Sequence, residues 1–381
     1  MSDRIPASGT VHWIGTGLST GGGLRLLCDH PAQVAVWGRT RERAHGCLAR
    51  LGLADRAQAH AYDPATLAAR AHEGDVVVSM LPATGHATML RLCLARGAHF
   101  ACSSYTSDEL TALADRAAAR GLVVLTEAGL DPGLDHALAR ALIVRARAVV
   151  GDGPATAWFT SYCGGLPAVP NEFRYRFSWA PRGVLSALCS PARYLDDGAH
   201  STVALPWEAT RELAIDGETF EAYPNRDSLP FLAQYAFPAG WRPQTFVRGT
   251  LRLAGWRAAW APVFDVLRTG DSALIDALAL NLAARYPTGS EDRDRVVLAV
   301  ALTVQAADGP RWSGRYLLDL VGDGQETAMA RCVSLPLALG VTRILDGGTP
   351  PGLCRAVPTA DEAEQWITSL RAHGIDCALK S

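Results

Sequence analysis

Through the first third of the chain, short apolar runs alternate with amphipathic stretches. Residues 11–14, 34–37, 58–61, 76–78, 99–102 and 122–125 are blocks of strand length. The run Val76-Val77-Val78 carries no polar alternation, as a strand covered on both faces requires. Asp63-Pro64 offers a cap and a first-turn proline for a helix. Further on, Thr106 and Glu109 fit a capping box. Leu110, Leu113, Ala114 and Ala117 form one face behind it, and Gly121 ends that helix. Strand, helix, strand at this spacing predicts βαβ units, and with them a doubly wound parallel sheet over about residues 10–135.

Beyond about residue 150 the texture changes. Residues 158–162, 174–179 and 245–253 are rich in aromatic and β-branched side chains and predict strands of a second sheet. Residues 272–285 have helical spacing, 296–304 fit either strand or helix, and 326–346 predict one more helix containing Pro336. Composition narrows the function classes. Lys and Arg total 36 against 38 Asp and Glu, so no global field points to a nucleic-acid partner. The 9 cysteines run from Cys28 to Cys377 without Cys-x-x-Cys pairs. That pattern gives neither a zinc site nor a disulfide framework and fits reduced thiols. No apolar leader follows Met1, and no uninterrupted apolar window of about 18 residues is present. The expectation is a cytoplasmic protein without metal or membrane partner.

The first strand runs into Gly15-Thr16-Gly17-Leu18-Ser19-Thr20-Gly21. Gly15 permits the tight turn and Gly17 a close backbone approach, so a pyrophosphate can sit among free N–H groups at the start of a helix. Thr20 stands where a third Gly or Ala is expected. At the end of the second strand an NAD site needs an acid for the ribose 2′-hydroxyl. This chain has Arg39-Thr40-Arg41 there instead. Two guanidiniums and a hydroxyl suit a 2′-phosphate, which points to NADP.

Seven blocks then occur in order: Ser79-Met80-Leu81-Pro82; Ser103-Ser104-Tyr105; Glu127 through His136 with Gly129-Leu130-Asp131-Pro132-Gly133; Tyr162-Cys163-Gly164-Gly165-Leu166-Pro167; Phe177-Ser178-Trp179-Ala180-Pro181-Arg182-Gly183; Tyr223-Pro224-Asn225-Arg226-Asp227-Ser228; and Arg248-Gly249-Thr250-Leu251-Arg252. Together they resemble the saccharopine reductase family, the NADP-dependent, glutamate-forming saccharopine dehydrogenases. The resemblance implies an α/β fold in which a Rossmann domain, residues 1–138 and 326–381, carries an inserted α+β substrate and dimerisation domain, residues 139–325. It implies a homodimer. It also implies a reaction of lysine metabolism: glutamate and 2-aminoadipate 6-semialdehyde condense to an imine, which NADPH reduces to saccharopine, reversibly. Ser104, Tyr105 and Asp131 are expected between cofactor and substrate. Leu81, Pro82, Leu130, Asp131, Pro132 and Trp179 are expected beside the cofactor, and Asp63 on its adenosine side. Arg226 and the Arg248-Gly249-Thr250 run are expected to bind carboxylates.

The residue chemistry is consistent with this. Saccharopine carries three carboxylates and calls for fixed cations, which Arg226 and Arg248 offer. Either arginine could equally pair with a neighbouring acid such as Asp227. Imine formation passes through a carbinolamine, so a positioned acid or base is needed. Asp131, Cys163 and Tyr105 are the candidates, while Cys163 and His136 could equally be structural. The chain is shorter than the usual family member after Pro167, near the substrate side. Three alternatives follow. One is reduction of a polyamine-type imine such as carboxynorspermidine, which needs fewer carboxylate clamps. The second is an aldehyde oxidation with Cys163 as nucleophile. The third is a non-catalytic NADP-sensing protein.

Overall fold

The computed structural model describes residues 3–287, 289 and 291–380. Its strands, in chain order, are β1 (Thr10–Ile14), β2 (Gln33–Gly38), β3 (Gln58–Ala61), β4 (Val76–Ser79), β5 (His99–Cys102), β6 (Val123–Thr126), β7 (Ala155–Pro167), β8 (Ala192–Asp196), β9 (Ala199–Val203), β10 (Arg211–Ile215), β11 (Glu218–Pro224), β12 (Trp241–Leu253), β13 (Asp294–Ala306), β14 (Arg311–Val321), β15 (Gly352–Arg355) and β16 (Ala378–Lys380). Two units form. The first holds everything up to Leu134, Ala330–Pro358 and Thr368–His373; the second holds Asp135–Met329, Thr359–Ile367 and the chain from Gly374 on.

The first unit is a seven-stranded parallel sheet in the order β15-β6-β5-β4-β1-β2-β3. Strand order reverses between β1 and β4, which places a ligand crevice at their C-terminal ends. Val11, Trp13 and Ile14 of β1 and all three valines of β4 are at most 0% exposed, as a strand flanked by helices on both faces demands. The predicted capping box shifts by one residue. Ser107 caps the helix Asp108–Ala118 by accepting the Leu110 N–H. The Thr106 hydroxyl bonds Glu127 and Thr126 instead.

The second unit is a nine-stranded mixed sheet, with the path β10-β11-β12-β7-β13-β14-β16, β8 beside β12 and β9 beside β8. The ambiguous segment 296–304 lies within β13, where Val296, Leu298 and Val300 are buried. The strand predicted over 174–179 does not form. Asn171 bonds the backbone N–H and carbonyl of Tyr175, and the loop drops Phe173, Tyr175 and Phe177 into an aromatic cluster with Trp256, Trp260 and Phe264. Alternating aromatics imitate a strand, but here they plug a core and leave no ladder. One face of the sheet packs Tyr162, Val247, Leu251, Val297 and Leu317 together. The opposite face carries the polar row described below.

The C-terminal assignment also needs correction. Of residues 326–381, β15 completes the first sheet beside β6. By contrast, 359–367 and the chain from 374 on belong to the second unit, because β16 pairs with β14 and extends that sheet's edge. Helix Ala328–Leu345 runs through Pro336. By length and composition it could cross a membrane, yet 67% of it is buried within the protein.

Candidate active site

In the first unit the glycine loop is longer than the fingerprint suggested. Gly15 has φ 121°, and a side chain there would meet Met80 Cβ at 2.9 Å. Its N–H bonds the Trp37 carbonyl. A turn then closes from Gly17 to Thr20. The Thr20 hydroxyl donates to the Gly15 carbonyl and accepts from the Trp13 indole, so Thr20 pins the loop from inside. The helix starts only at Gly23. Gly23 takes the close-packing role expected of the third glycine: a Cβ there would lie 2.0 Å from the Ser334 carbonyl oxygen, and its N–H bonds Ser334 Oγ. Gly17 and Leu18 are exposed and Ser19 half-buried. Their N–H groups make no bond among the described residues, which leaves them for an anion.

At the end of β2, Arg39 and Arg41 are exposed, and neither forms an ion pair among the described residues. The Thr40 hydroxyl accepts the Arg43 N–H and caps the helix Arg41–Arg50. Asp63 is likewise a cap. It accepts from Thr66 N–H and Oγ1 at 2.7 and 2.8 Å, and those bonds hold its carboxyl below the ordinary range. These residues fit NADP: a loop with free donors, then two uncommitted guanidiniums where a 2′-phosphate would sit.

After β4, Leu81 is half-buried and Pro82 exposed. Ser104, after β5, belongs to a relay that the sequence did not reveal. Its hydroxyl meets His86 Nε2 at 2.8 Å, and His86 Nδ1 meets Ser79 Oγ at 2.9 Å. Burial pushes His86 down to about 4, so the ring is neutral and orients Ser104 by hydrogen bonding alone. Tyr105 donates to Asp131 Oδ1 at 2.7 Å. Asp131 stands at the tip of a loop that folds back on itself. Gly129 N–H bonds the Pro132 carbonyl, and a Cβ on Gly133 would fall 2.1 Å from the Gly129 oxygen. Leu130 and Pro132 are buried on either side. Beneath them Glu127, φ 55° and 3% exposed, receives Thr106 and Arg355. The phenol and carboxylate form a preset acid–base pair.

In the second unit, β7 and β12 run parallel with Thr250 beside Cys163 and Arg248 beside Ser161. Residues two apart share a face, so Ser161, Cys163, Arg248, Thr250 and Arg252 project from one side. Gly249 lies on the other face, where a side chain would strike Tyr162 Cε1 at 2.5 Å. Its role is close packing. Cys163 is buried, between Thr250 and Leu298. Trp179 lies on Gly183, whose Cβ would be 2.4 Å from its ring.

The two predicted clamps differ. Arg248 is 1% exposed and its Nη2 lies 2.6 Å from Oδ2 of Asp135, itself 0% exposed. Phe231 stacks under the guanidinium at 3.9 Å and Tyr235 donates to the same carboxylate. The charge of Arg248 is therefore balanced inside the unit by an acid 113 residues away, which local sequence could not show. Arg226 is exposed with φ 56°. Asp227, the acid suspected of neutralising it, pairs with Arg193 at 3.0 Å. His136 is structural: buried at 1%, it bonds Tyr235 and stacks on Phe231.

Two family models match the chain. The saccharopine dehydrogenase NADP binding domain covers residues 11–125, and the saccharopine dehydrogenase C-terminal domain covers 129–375. The chain is 29% identical to the NADP+-dependent, L-glutamate-forming saccharopine dehydrogenase of Pyricularia oryzae, over 90% of this chain and 92% of that one. It is 29% identical to the mitochondrial alpha-aminoadipic semialdehyde synthase of Bos taurus, over 72% of this chain and 37% of that longer protein. The apo L-Glu-forming saccharopine dehydrogenase of Saccharomyces cerevisiae superposes with a TM-score of 0.81 at 26% identity, over 97% of this chain and 99% of that one.

Proposed function

The chain belongs to the saccharopine dehydrogenase family, and from that premise we propose that it interconverts saccharopine with glutamate and 2-aminoadipate 6-semialdehyde. It is an NADP-dependent oxidoreductase acting on a CH–NH bond. In the oxidative direction saccharopine, NADP+ and water give glutamate, the semialdehyde, NADPH and a proton. The observation that carries the reading is the Tyr105–Asp131 pair at the C-terminal edge of a parallel sheet whose glycine loop and free Arg39 and Arg41 fit NADP.

NADP, when bound, accepts the hydride. The remaining work falls to side chains. Gly17, Leu18 and Ser19 would offer N–H groups to the pyrophosphate, and Arg39 and Arg41 would hold the 2′-phosphate. Ser104, fixed by His86, presents its hydroxyl in one orientation. Asp131 Oδ1 accepts a hydrogen bond from the Tyr105 hydroxyl, so the pair can take a proton from the substrate nitrogen or from the attacking water and return it. Cys163 and Thr250 line the polar face of the second sheet, and Arg226 offers an exposed cation. We extend the reading to a homodimer, as the family resemblance implies, and to a cytoplasmic location, as the sequence suggests; light scattering and cell fractionation would check them.

The polyamine alternative would use the same cofactor residues and differs in needing fewer carboxylate contacts, so the choice of substrate separates the two readings. The test is a panel of amine and aldehyde pairs assayed for NADPH oxidation. Glutamate with 2-aminoadipate semialdehyde should be the fastest pair. A diamine pair that outruns it would overturn the substrate assignment.

A further inference from the structure

Arg252 is the third residue of the row Arg248, Thr250, Arg252 on β12. It is 5% exposed. Its Nη1 donates to the Leu251 carbonyl at 3.0 Å, and its Nε is buried without a partner. Among the described residues no carboxylate comes within ion-pair distance of it. Glu221, directly opposite on β11, spends its two oxygens on the N–H groups of Gly255 and Arg257, at 3.0 and 2.6 Å. The guanidinium is boxed by rings instead: Tyr175 at 4.9 Å, and Tyr223 and Trp256 at 5.4 Å.

A buried cation is normally paired with an acid, as Arg248 is with Asp135. Ring quadrupoles compensate only part of the lost hydration. Unmet polar groups continue along this face. The Tyr175 hydroxyl is fully buried beside the Trp179 side chain and meets no partner in full hydrogen-bond geometry among the described residues. Gly165 of β7 makes room on this face for Met329, whose Cε a Cβ would meet at 2.6 Å, and for Ser178 Oγ at 2.7 Å, a buried hydroxyl with no partner among the described residues. A row of buried donors that the protein does not satisfy is the mark of a ligand's place.

We propose that Arg252, within the box of Tyr175, Tyr223 and Trp256, is the buried cation that receives a carboxylate of the amino-acid substrate. The identity of that substrate rests on the function proposed above; the need for a carboxylate does not. Arg252 thus takes the clamp role that the sequence pattern assigned to Arg248. The two lie on the same face of the same strand, and only Arg248 has its acid.

The experiment compares wild type, Arg252→Met and Arg252→Lys as full chains. Methionine keeps most of the volume and removes the charge. Because the site holds an uncompensated cation, Arg252→Met should melt at the wild-type temperature or above. Its KM for saccharopine should rise about 10- to 100-fold, the scale of losing a charge-assisted bond. NADPH affinity should stay within about twofold, because the glycine loop, Arg39 and Arg41 lie in the other unit. Glutarate, a dicarboxylate without an amine, should raise the melting temperature of wild type, raise it less for Arg252→Lys, and leave Arg252→Met unchanged. A destabilised Arg252→Met with wild-type KM would make Arg252 structural and overturn the proposal. So would glutarate stabilising Arg252→Met as much as wild type, or failing to stabilise wild type. Should wild type prefer another imine, the substrate reading fails, while the glutarate series still decides the role of Arg252.

Discussion

Replacing either partner of the Arg248–Asp135 pair distinguishes a substrate clamp from an internal pair. Both side chains are at most 1% exposed, and one N–O contact is 2.6 Å. Removing one partner leaves the other charge buried, which costs about 3–5 kcal/mol. For Arg248→Met, loss of the stack on Phe231 adds up to about 1–2 kcal/mol. For Asp135→Asn, the Tyr235 hydroxyl still finds an acceptor, so the cost should sit near the lower bound. Replacing both, as Asp135→Asn with Arg248→Met, should return stability to within about 1–2 kcal/mol of wild type, because both buried charges are removed together. The coupling in that cycle should be at least about 3 kcal/mol. Urea unfolding followed by tryptophan fluorescence reads it, since Trp207, Trp241, Trp256 and Trp260 are buried in the same unit. If Arg248→Met unfolds within about 0.5 kcal/mol of wild type while its KM for saccharopine rises steeply, the internal pair is not what Arg248 is for.

Arg39→Ala should weaken NADPH by about 1–3 kcal/mol and leave NADH nearly unchanged; a titration showing equal losses for both would contradict the 2′-phosphate assignment. Gly23→Ala should destabilise the first unit by more than the usual ~1–3 kcal/mol of overpacking, because the atom met at 2.0 Å is backbone and cannot turn away. A calorimetric trace matching wild type would refute that. His86 and His99 are both pushed down to about 4, first by burial and, for His99, also by Arg4. Their unfolded forms bind protons below about 6.5, so stability is intact above that pH and falls as pH drops toward 4, by up to about 3 kcal/mol for each. A melting temperature that stays flat from pH 7 to 4.5 would argue against buried neutral rings.

The first sheet was legible because its strands are buried on both faces and read as continuous apolar blocks. The glycine loop was legible in kind but not in length. Counting from Gly15 lands on Thr20, whereas the helix begins at Gly23, and no sequence pattern reports which glycine must pass Ser334. In the second unit the short strands β8 to β11 mix polar and apolar residues and left little periodicity. Residues 174–179 alternated convincingly for a different reason, the packing of aromatics into a loop. Residue types of the site were legible, but their pairing was not. Arg248 and Arg252 are four apart on one strand with identical side-chain direction, and what separates them is Asp135, an acid brought in by the fold. His86 gave no signal either, since its partners Ser79 and Ser104 come from two different strand ends.

The most direct test of the central claim is the oxidation of saccharopine by the purified chain with NADP+, measuring NADPH and glutamate together. One glutamate per NADPH is expected, with a strong preference for NADP+ over NAD+ and turnover that falls sharply in Asp131→Asn without a matching loss of NADPH affinity. NADPH formed without glutamate, or an Asp131→Asn enzyme that turns over like wild type, would contradict the claim.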